Sequence, residues 1–189
     1  MIAVQSDRAS RLAALCLVVL WLAGCASTGP RVVAEHNPDV DFGQFRTFSF
    51  AEPLATDRQG RRTTLSAQLM AATTRELQAR GLQPVSNSPD LVIDFFVAEQ
   101  TGAASSNMSV ASSPFVHAHG GITTWSGYDL RNSTTRRITA GTLIIDVVDA
   151  RRGALLFEGL LEDRITEEMR DNFAETVSNS VSEILAHMP

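Results

Sequence analysis

Three hydrophobic patterns follow one another along the chain. The first has no period. Leu12 to Leu22 is an unbroken apolar run, preceded by Arg8 and Arg11 and followed by Ala23, Gly24 and Cys25. The run holds 11 residues, short of the roughly 20 that cross a bilayer as a helix. A positive flank, an apolar core and small residues at its end make a secretory signal. The second pattern is alternation. Leu91 to Ala98 places Ile93, Phe95 and Val97 against Val92, Asp94 and Phe96, as a strand does. Thr139 to Val148 and Ala154 to Asp163 read as two further strands. Asp149-Ala150-Arg151-Arg152-Gly153 forms a hairpin connection between them, with Gly153 suited to positive φ. Arg31 to Glu35 and Thr47 to Phe50 are shorter strand candidates, separated by the turn signal Asn37-Pro38-Asp39.

The third pattern is helical. Arg61 to Arg80 carries Leu65, Leu69, Ala72, Thr73 and Leu77 near helical spacing, with Thr63 or Thr64 as N-cap and Gly81 as C-terminal stop. A last helix starts after Thr166, with Glu167 and Glu168 where the helix dipole favours negative charge. Met169, Phe173, Val177, Val181, Ile184, Leu185 and Met188 draw one continuous apolar stripe along it. These elements predict an α+β domain. Its sheet has about five strands, mostly antiparallel or mixed, and two helices pack on one face.

Alternation assigns the two sheet faces. Ile93, Phe95, Val97, Ile145, Val147, Leu155 and Phe157 fall under the helices. Val92, Asp94, Phe96, Ile144, Asp146, Val148 and Glu158 fall on the second face. That second set is apolar with carboxylates set into it, unlike a solvated face. It is the candidate binding face. Acid/base catalysis by Asp94 and Asp146 is a weaker reading than carboxylates that keep a half-exposed sheet soluble. Between the strong strands, the segment 99–137 is rich in Ser, Ala, Gly, Thr and Asn in its first half, and reads as a long flexible loop or a loose hairpin.

The end of the leader carries chemistry. Leu22-Ala23-Gly24-Cys25 resembles the lipobox of bacterial lipoproteins. The resemblance implies a signal peptide, 1–24, that is removed, and lipidation of Cys25. Residues 25–30 are then the lipidated N-terminus and tether, and 31–189 a single domain. A tether of this length reaches ~15–25 Å, so the domain sits close to its membrane. Ala26 follows the cysteine where Asp would signal inner-membrane retention in enteric bacteria. The expected address is therefore the periplasmic face of the outer membrane.

Cysteine and charge then narrow the function. Of two cysteines, Cys16 lies in the leader and Cys25 carries lipid. The mature domain has no thiol for catalysis, metal binding or a disulfide. The formal charge of −5 becomes near −6 when Asp7, Arg8 and Arg11, together +1, leave with the leader. Lysine is absent, and no basic cluster stands out, which argues against nucleic acid as a partner.

His117-Ala118-His119 is the weak candidate for a metal site, with His36 and His187 as distant ligands. Zinc wants three or four ligands, and no carboxylate lies at ligand spacing, so two loop histidines is the simpler reading. Asp39-x-Asp41 opens like a calcium loop, but Gln44 and Phe50 stand where that loop needs Gly and Glu. Neither a Gly-x-Ser-x-Gly elbow nor a phosphate-cradling loop is present. No catalytic residue, metal or cofactor is expected.

Longer stretches resemble domain-of-unknown-function family 4136, a group of bacterial lipoproteins. They are Asp39 to Phe50 (DVDFGQFRTFSF), Gly141 to Asp149 (GTLIIDVVD), Ala154 to Gly159 (ALLFEG) and the helix ending at Pro189. Phe157 stands where that family usually has Trp. The resemblance implies a compact α+β lipoprotein domain and no established activity. Together the readings give a membrane-anchored periplasmic lipoprotein of unknown activity, a non-catalytic binding or assembly module of the cell envelope with an envelope protein as its candidate partner. The alternative is a small-ligand, metal-binding or hydrolytic protein using His117, His119 and the sheet carboxylates.

Overall fold

A computed structural model describes residues 29–98, 123–126, 128 and 141–189. The leader with Leu22, Ala23, Gly24 and Cys25, the pair His117 and His119, and most of the 99–137 segment lie outside the described residues.

Six strands make one mixed sheet: β1 (Arg31–His36), β2 (Thr47–Phe50), β3 (Gln83–Pro84), β4 (Leu91–Ala98), β5 (Thr142–Asp149) and β6 (Ala154–Glu162). Their order is β1-β6-β5-β4-β2-β3. Each neighbouring pair among the first four in that order is antiparallel. β2 runs parallel to β4 and to β3. The sheet is therefore larger than five strands and mixed. The reason lies in the connection: β2 leads through a helix to β3, and parallel neighbours require such a crossover. β3 is only two residues long and shows no alternation to read.

Helix α1 (Thr64–Ala79) is capped by Thr63, whose hydroxyl accepts the Ser66 N–H at 3.0 Å. It ends before Gly81 at φ +89°, a conformation that costs glycine little. Two further helices follow β6: α2 (Glu167–Asp171) and α3 (Phe173–Leu185). They replace the single continuous helix expected from the apolar stripe. Asn172 interrupts it at φ −104°, ψ 41°, and Asp171-Asn172 pairs two residues of low helix propensity. Phe173 therefore leaves the stripe and is exposed, while Val177, Val181, Ile184, Leu185 and Met188 stay buried. Among the described residues, no helix is long and apolar enough to cross a membrane.

α1 and α3 lie side by side, pointing the same way, on one face of the sheet. The Arg80 guanidinium donates to the Leu185 and Met188 carbonyls at the C-terminus of α3. There it serves two carbonyls of the helix end, of which that of Leu185 also accepts the Met188 N–H at 3.0 Å, and complements the dipole. Phe48, Leu69, Leu77, Ile93, Phe95, Ile145, Phe157, Val181 and Ile184 fill the space between helices and sheet. Asp90 ties the start of β2 to the start of β4. Its carboxylate accepts the N–H groups of Arg46 (2.9 Å) and Thr47 (3.1 Å) and the Thr47 hydroxyl (3.1 Å). The Arg46 N–H is the main cause that holds the Asp90 carboxyl below its usual range. Asp41 shapes the turn before β2 by accepting the Gly43 N–H at 2.9 Å. Asp39 and Asp41 thus belong to the turn.

Gly159 lets α3 approach the sheet. A Cβ there would stand 2.3 Å from Cγ2 of Ile184 and 2.9 Å from the Phe157 ring. Gly159→Ala is expected to destabilise the domain by about 1–3 kcal/mol through overpacking. Adding Ile184→Ala should cost less than the sum of the two single changes. Chemical denaturation of the three variants measures both effects.

Candidate functional site

The second face is organised by register. Residues directly opposite each other in neighbouring strands share a face. Glu35 pairs with Glu158, Glu158 with Asp146, and Asp146 with Asp94. Four carboxylates thus stand in one row across β1, β6, β5 and β4, with about 4.8 Å between strands. Two residues along, Val33, Leu160, Ile144 and Phe96 make a parallel apolar row. Ile144 and Leu160, with Phe96 and Ala98 against them, form a second small core. Beyond it, Arg31 faces Glu162, and their side chains pair at 3.7 Å.

The carboxylates are not the solvent-facing charges expected from the sequence. Asp94 and Asp146 are 2% exposed and Glu158 5%. Buried carboxylates need donors, and the structure supplies them to Asp94 and Glu158. Asp94 Oδ1 accepts the N–H of Ala55 at 3.0 Å and of Phe95 at 2.8 Å. Glu158 Oε2 accepts the Tyr128 hydroxyl at 2.8 Å. These bonds give the carboxylates a structural task, holding a loop and a segment onto the sheet.

Tyr128 arrives from the sheet edge below β1. Thr123 bridges to Ala154 in parallel: its N–H donates to the Gly153 carbonyl and its carbonyl accepts the Leu155 N–H, both at 2.8 Å. Trp125 then stacks edge-on against Tyr128 at 4.8 Å between ring centres. Burial raises the Tyr128 phenol far above its ordinary value of 10.0. The Glu158 carboxylate adds to this, and so do Asp146 and Glu35.

Of the sequence-predicted face, Val92, Asp94, Phe96, Ile144, Asp146 and Glu158 come together. Val148 joins them opposite Val92, and a bulge between Val147 and Val148 sets it opposite Leu155 in β6. Glu35 and Tyr128 complete the row and were missed. The alternation of Val33 with Glu35 was the available signal for the first. Nothing local announces the second. His36 and His187 are exposed, and no group of three or more metal-ligating side chains occurs among the described residues.

The family model for DUF4136, a domain of unknown function, matches residues 32–189. The chain belongs to the DUF4136 family. Among solved structures, it is similar to a DUF4136 family protein from Bacteroides thetaiotaomicron, at 17% identity and a TM-score of 0.59, over 85% of this chain and 96% of that one. It is also similar to a PDZ domain protein from Parabacteroides distasonis, at 20% identity and a TM-score of 0.51, over 85% of this chain but 36% of that one. Both likenesses concern the fold. Comparison with curated proteins finds no match.

In this DUF4136 domain a hollow of about 540 Å³ opens beside Phe96. Its apolar wall is Phe96, Val97 and Leu65, and its polar wall is Thr56, Asp57, Arg58, Thr63 and Thr64. Hydroxyls fix the loop that forms the polar wall. Ser66 Oγ lies 2.8 Å from both Thr56 Oγ1 and Thr63 Oγ1, and Thr63 Oγ1 donates to the Thr56 carbonyl at 3.2 Å. Asp94, through Ala55, holds the same loop. The hollow is therefore built from secured parts.

Tyr128 is the only tyrosine of the chain. Its raised folded-state pKa means the protonated phenol favours the native state. That contribution is complete below pH 10 and is lost as pH rises beyond it. Phenolate absorbance is expected to appear only together with alkaline unfolding, in a single transition. Tyr128→Phe should flatten the alkaline limb of stability and lower stability at neutral pH by about 1.5–3 kcal/mol, the value of a hydrogen bond to a charged group. Phenolate formation in a still-folded domain would contradict this.

Proposed function

We propose that this DUF4136 protein is a lipid-anchored, non-catalytic binding module of the bacterial cell envelope. The observation that carries the binding role is the hollow of about 540 Å³ beside Phe96. Its volume falls within the range of ligand sites, and it combines apolar surface with a few placed polar groups. Phe96 and Val97 are only half-buried there, which leaves an aromatic available to a partner. A side chain or short segment of an envelope protein is the occupant that this mixed lining suits. A non-catalytic role agrees with the way Asp94 and Glu158 are engaged by Ala55, Phe95 and Tyr128.

The anchor rests on Leu22-Ala23-Gly24-Cys25 and on the tether that follows. Five residues, Ala26 to Pro30, separate Cys25 from the first residue of β1. Several acyl chains on one cysteine satisfy the requirement of more than one chain for stable anchoring. With Ala26 after the cysteine, the periplasmic face of the outer membrane is the proposed address.

Cys25→Ala is expected to leave the protein in the soluble fraction and to abolish acyl labelling. Retention of that variant in membranes would end the lipoprotein reading. A photo-crosslinking residue at Phe96 in intact envelopes is expected to give one discrete adduct, and the same residue at exposed Ala150 none. Loss of the adduct in Arg58→Ala would tie it to the hollow. A silent Phe96 position would remove the binding reading.

A further inference from the structure

The start of β1 fixes which end of the domain the tether leaves from. Arg31 stands opposite Glu162, Glu162 opposite Thr142, and Thr142 opposite Ala98. One end of the sheet is thus defined by these four residues. The N-termini of α1 and α3 lie at the same end, because a cleft of about 110 Å³ joins Leu65 and Leu69 of α1 to Thr142, Leu143, Leu161 and Val177. Ile165 and Met169 complete its rim.

The only two large apolar side chains exposed among the described residues are Ile165 (39%) and Phe173 (38%). Ile165 follows Glu162, the partner of Arg31, by three residues. Phe173 opens α3, four residues after Met169. Exposed apolar residues scattered singly need no explanation. Here both belong to the end from which the tether leaves: Ile165 and half-buried Met169 line the apolar cleft, and Phe173 lies one helical turn before Val177, which lines it too. The cleft is smaller than the ~150 Å³ apolar cavity that takes up one benzene, too small for a whole acyl chain. A lipid surface that receives the two side chains fits better than a single bound tail. The six chain steps from Cys25 to Arg31 span at most about 20 Å, which keeps this end within reach of such a surface.

We propose that the tether end of the domain, with Ile165, Met169 and Phe173, rests in the interfacial region of the membrane that holds the anchor. The inference rests on the lipid-anchor reading. The charges of this end are mixed. Arg31, Arg61, Arg62, Arg164 and Arg170 stand with Glu162, Asp163, Glu167, Glu168 and Asp171. The contact is therefore driven by apolar burial and not by attraction to anionic lipid, and added salt should leave it unchanged. The β5–β6 hairpin, 149–153, lies at the opposite end and points away from the lipid.

The test uses the lipidated full chain in phosphatidylethanolamine/phosphatidylglycerol vesicles. A polarity-sensitive fluorophore is placed on Ile165→Cys, on Phe173→Cys and on the control Ala150→Cys. The mature domain has no other free thiol, and all three positions are exposed, so folding is spared. Blue-shifted emission and several-fold stronger quenching by spin-labelled lipid at 165 and 173 than at 150, insensitive to salt, are expected. Equal quenching at all three positions in protein that floats with the vesicles overturns the proposal and leaves the anchor intact. A blue shift without lipid quenching assigns the patch to a second copy of the chain and also overturns it. Protein that does not float overturns the anchor reading and this proposal with it.

Discussion

β5 is buried along its whole length, and the rest of the fold is arranged to keep it so. It is hydrogen-bonded to β4 on one side and β6 on the other. Helices α1 and α3 cover its face with Leu143, Ile145 and Val147. The face with Ile144 and Asp146 is buried too. A strand covered on both faces should read as a continuous apolar run, and Leu143 to Val148 does so except at Asp146. That one carboxylate forces its neighbours in the row to be managed together. Asp94 is served by Ala55 and Phe95, and Glu158 by Tyr128.

This management connects the sheet to the hollow. One of the two N–H groups that Asp94 Oδ1 accepts is that of Ala55, which begins the loop that walls the hollow. The loop closes onto α1 through Thr56, Thr63 and Ser66, one of which is also the helix cap. Capping, the hydroxyl cluster and the buried carboxylate therefore act on the same short stretch. Phe96, next but one to Asp94, forms the apolar wall. Altering the carboxylate would reach the hollow from beneath, through one backbone N–H.

Much of this was legible in the sequence because period alone carries it. The alternation in Leu91 to Ala98 named both faces of β4 correctly, and Thr63, Gly81 and Thr166 marked helix ends by capping chemistry. The β5–β6 hairpin lies where Asp149 to Gly153 indicated. Other features were hidden for physical reasons. β3 has two residues and no period. The stripe from Met169 to Met188 reads as one helix because apolar spacing is nearly indifferent to a break at Asn172. A bulge sets Val148 opposite Leu155 in β6, and one extra residue in the partner strand leaves no local trace. The solvent-facing reading of Asp94 and Asp146 failed because charge was taken to mean exposure. The donors that allow their burial lie 39 residues away at Ala55 and, for Glu158, 30 residues away at Tyr128.

The row Glu35, Glu158, Asp146, Asp94 also bears on how the sheet finds its alignment. A slip of one residue between β4 and β5 would turn every side chain to the opposite face. For apolar residues alone such an error is mild here, since both faces are buried and Ile144 could exchange roles with Ile145. For Asp94 and Asp146 it is severe. The slip would carry a carboxylate into the space between sheet and helices, among Phe48, Leu69 and Val181, far from Ala55. Carboxylates in a row thus work as a key against misalignment, in a sheet whose hydrophobic residues would tolerate more than one.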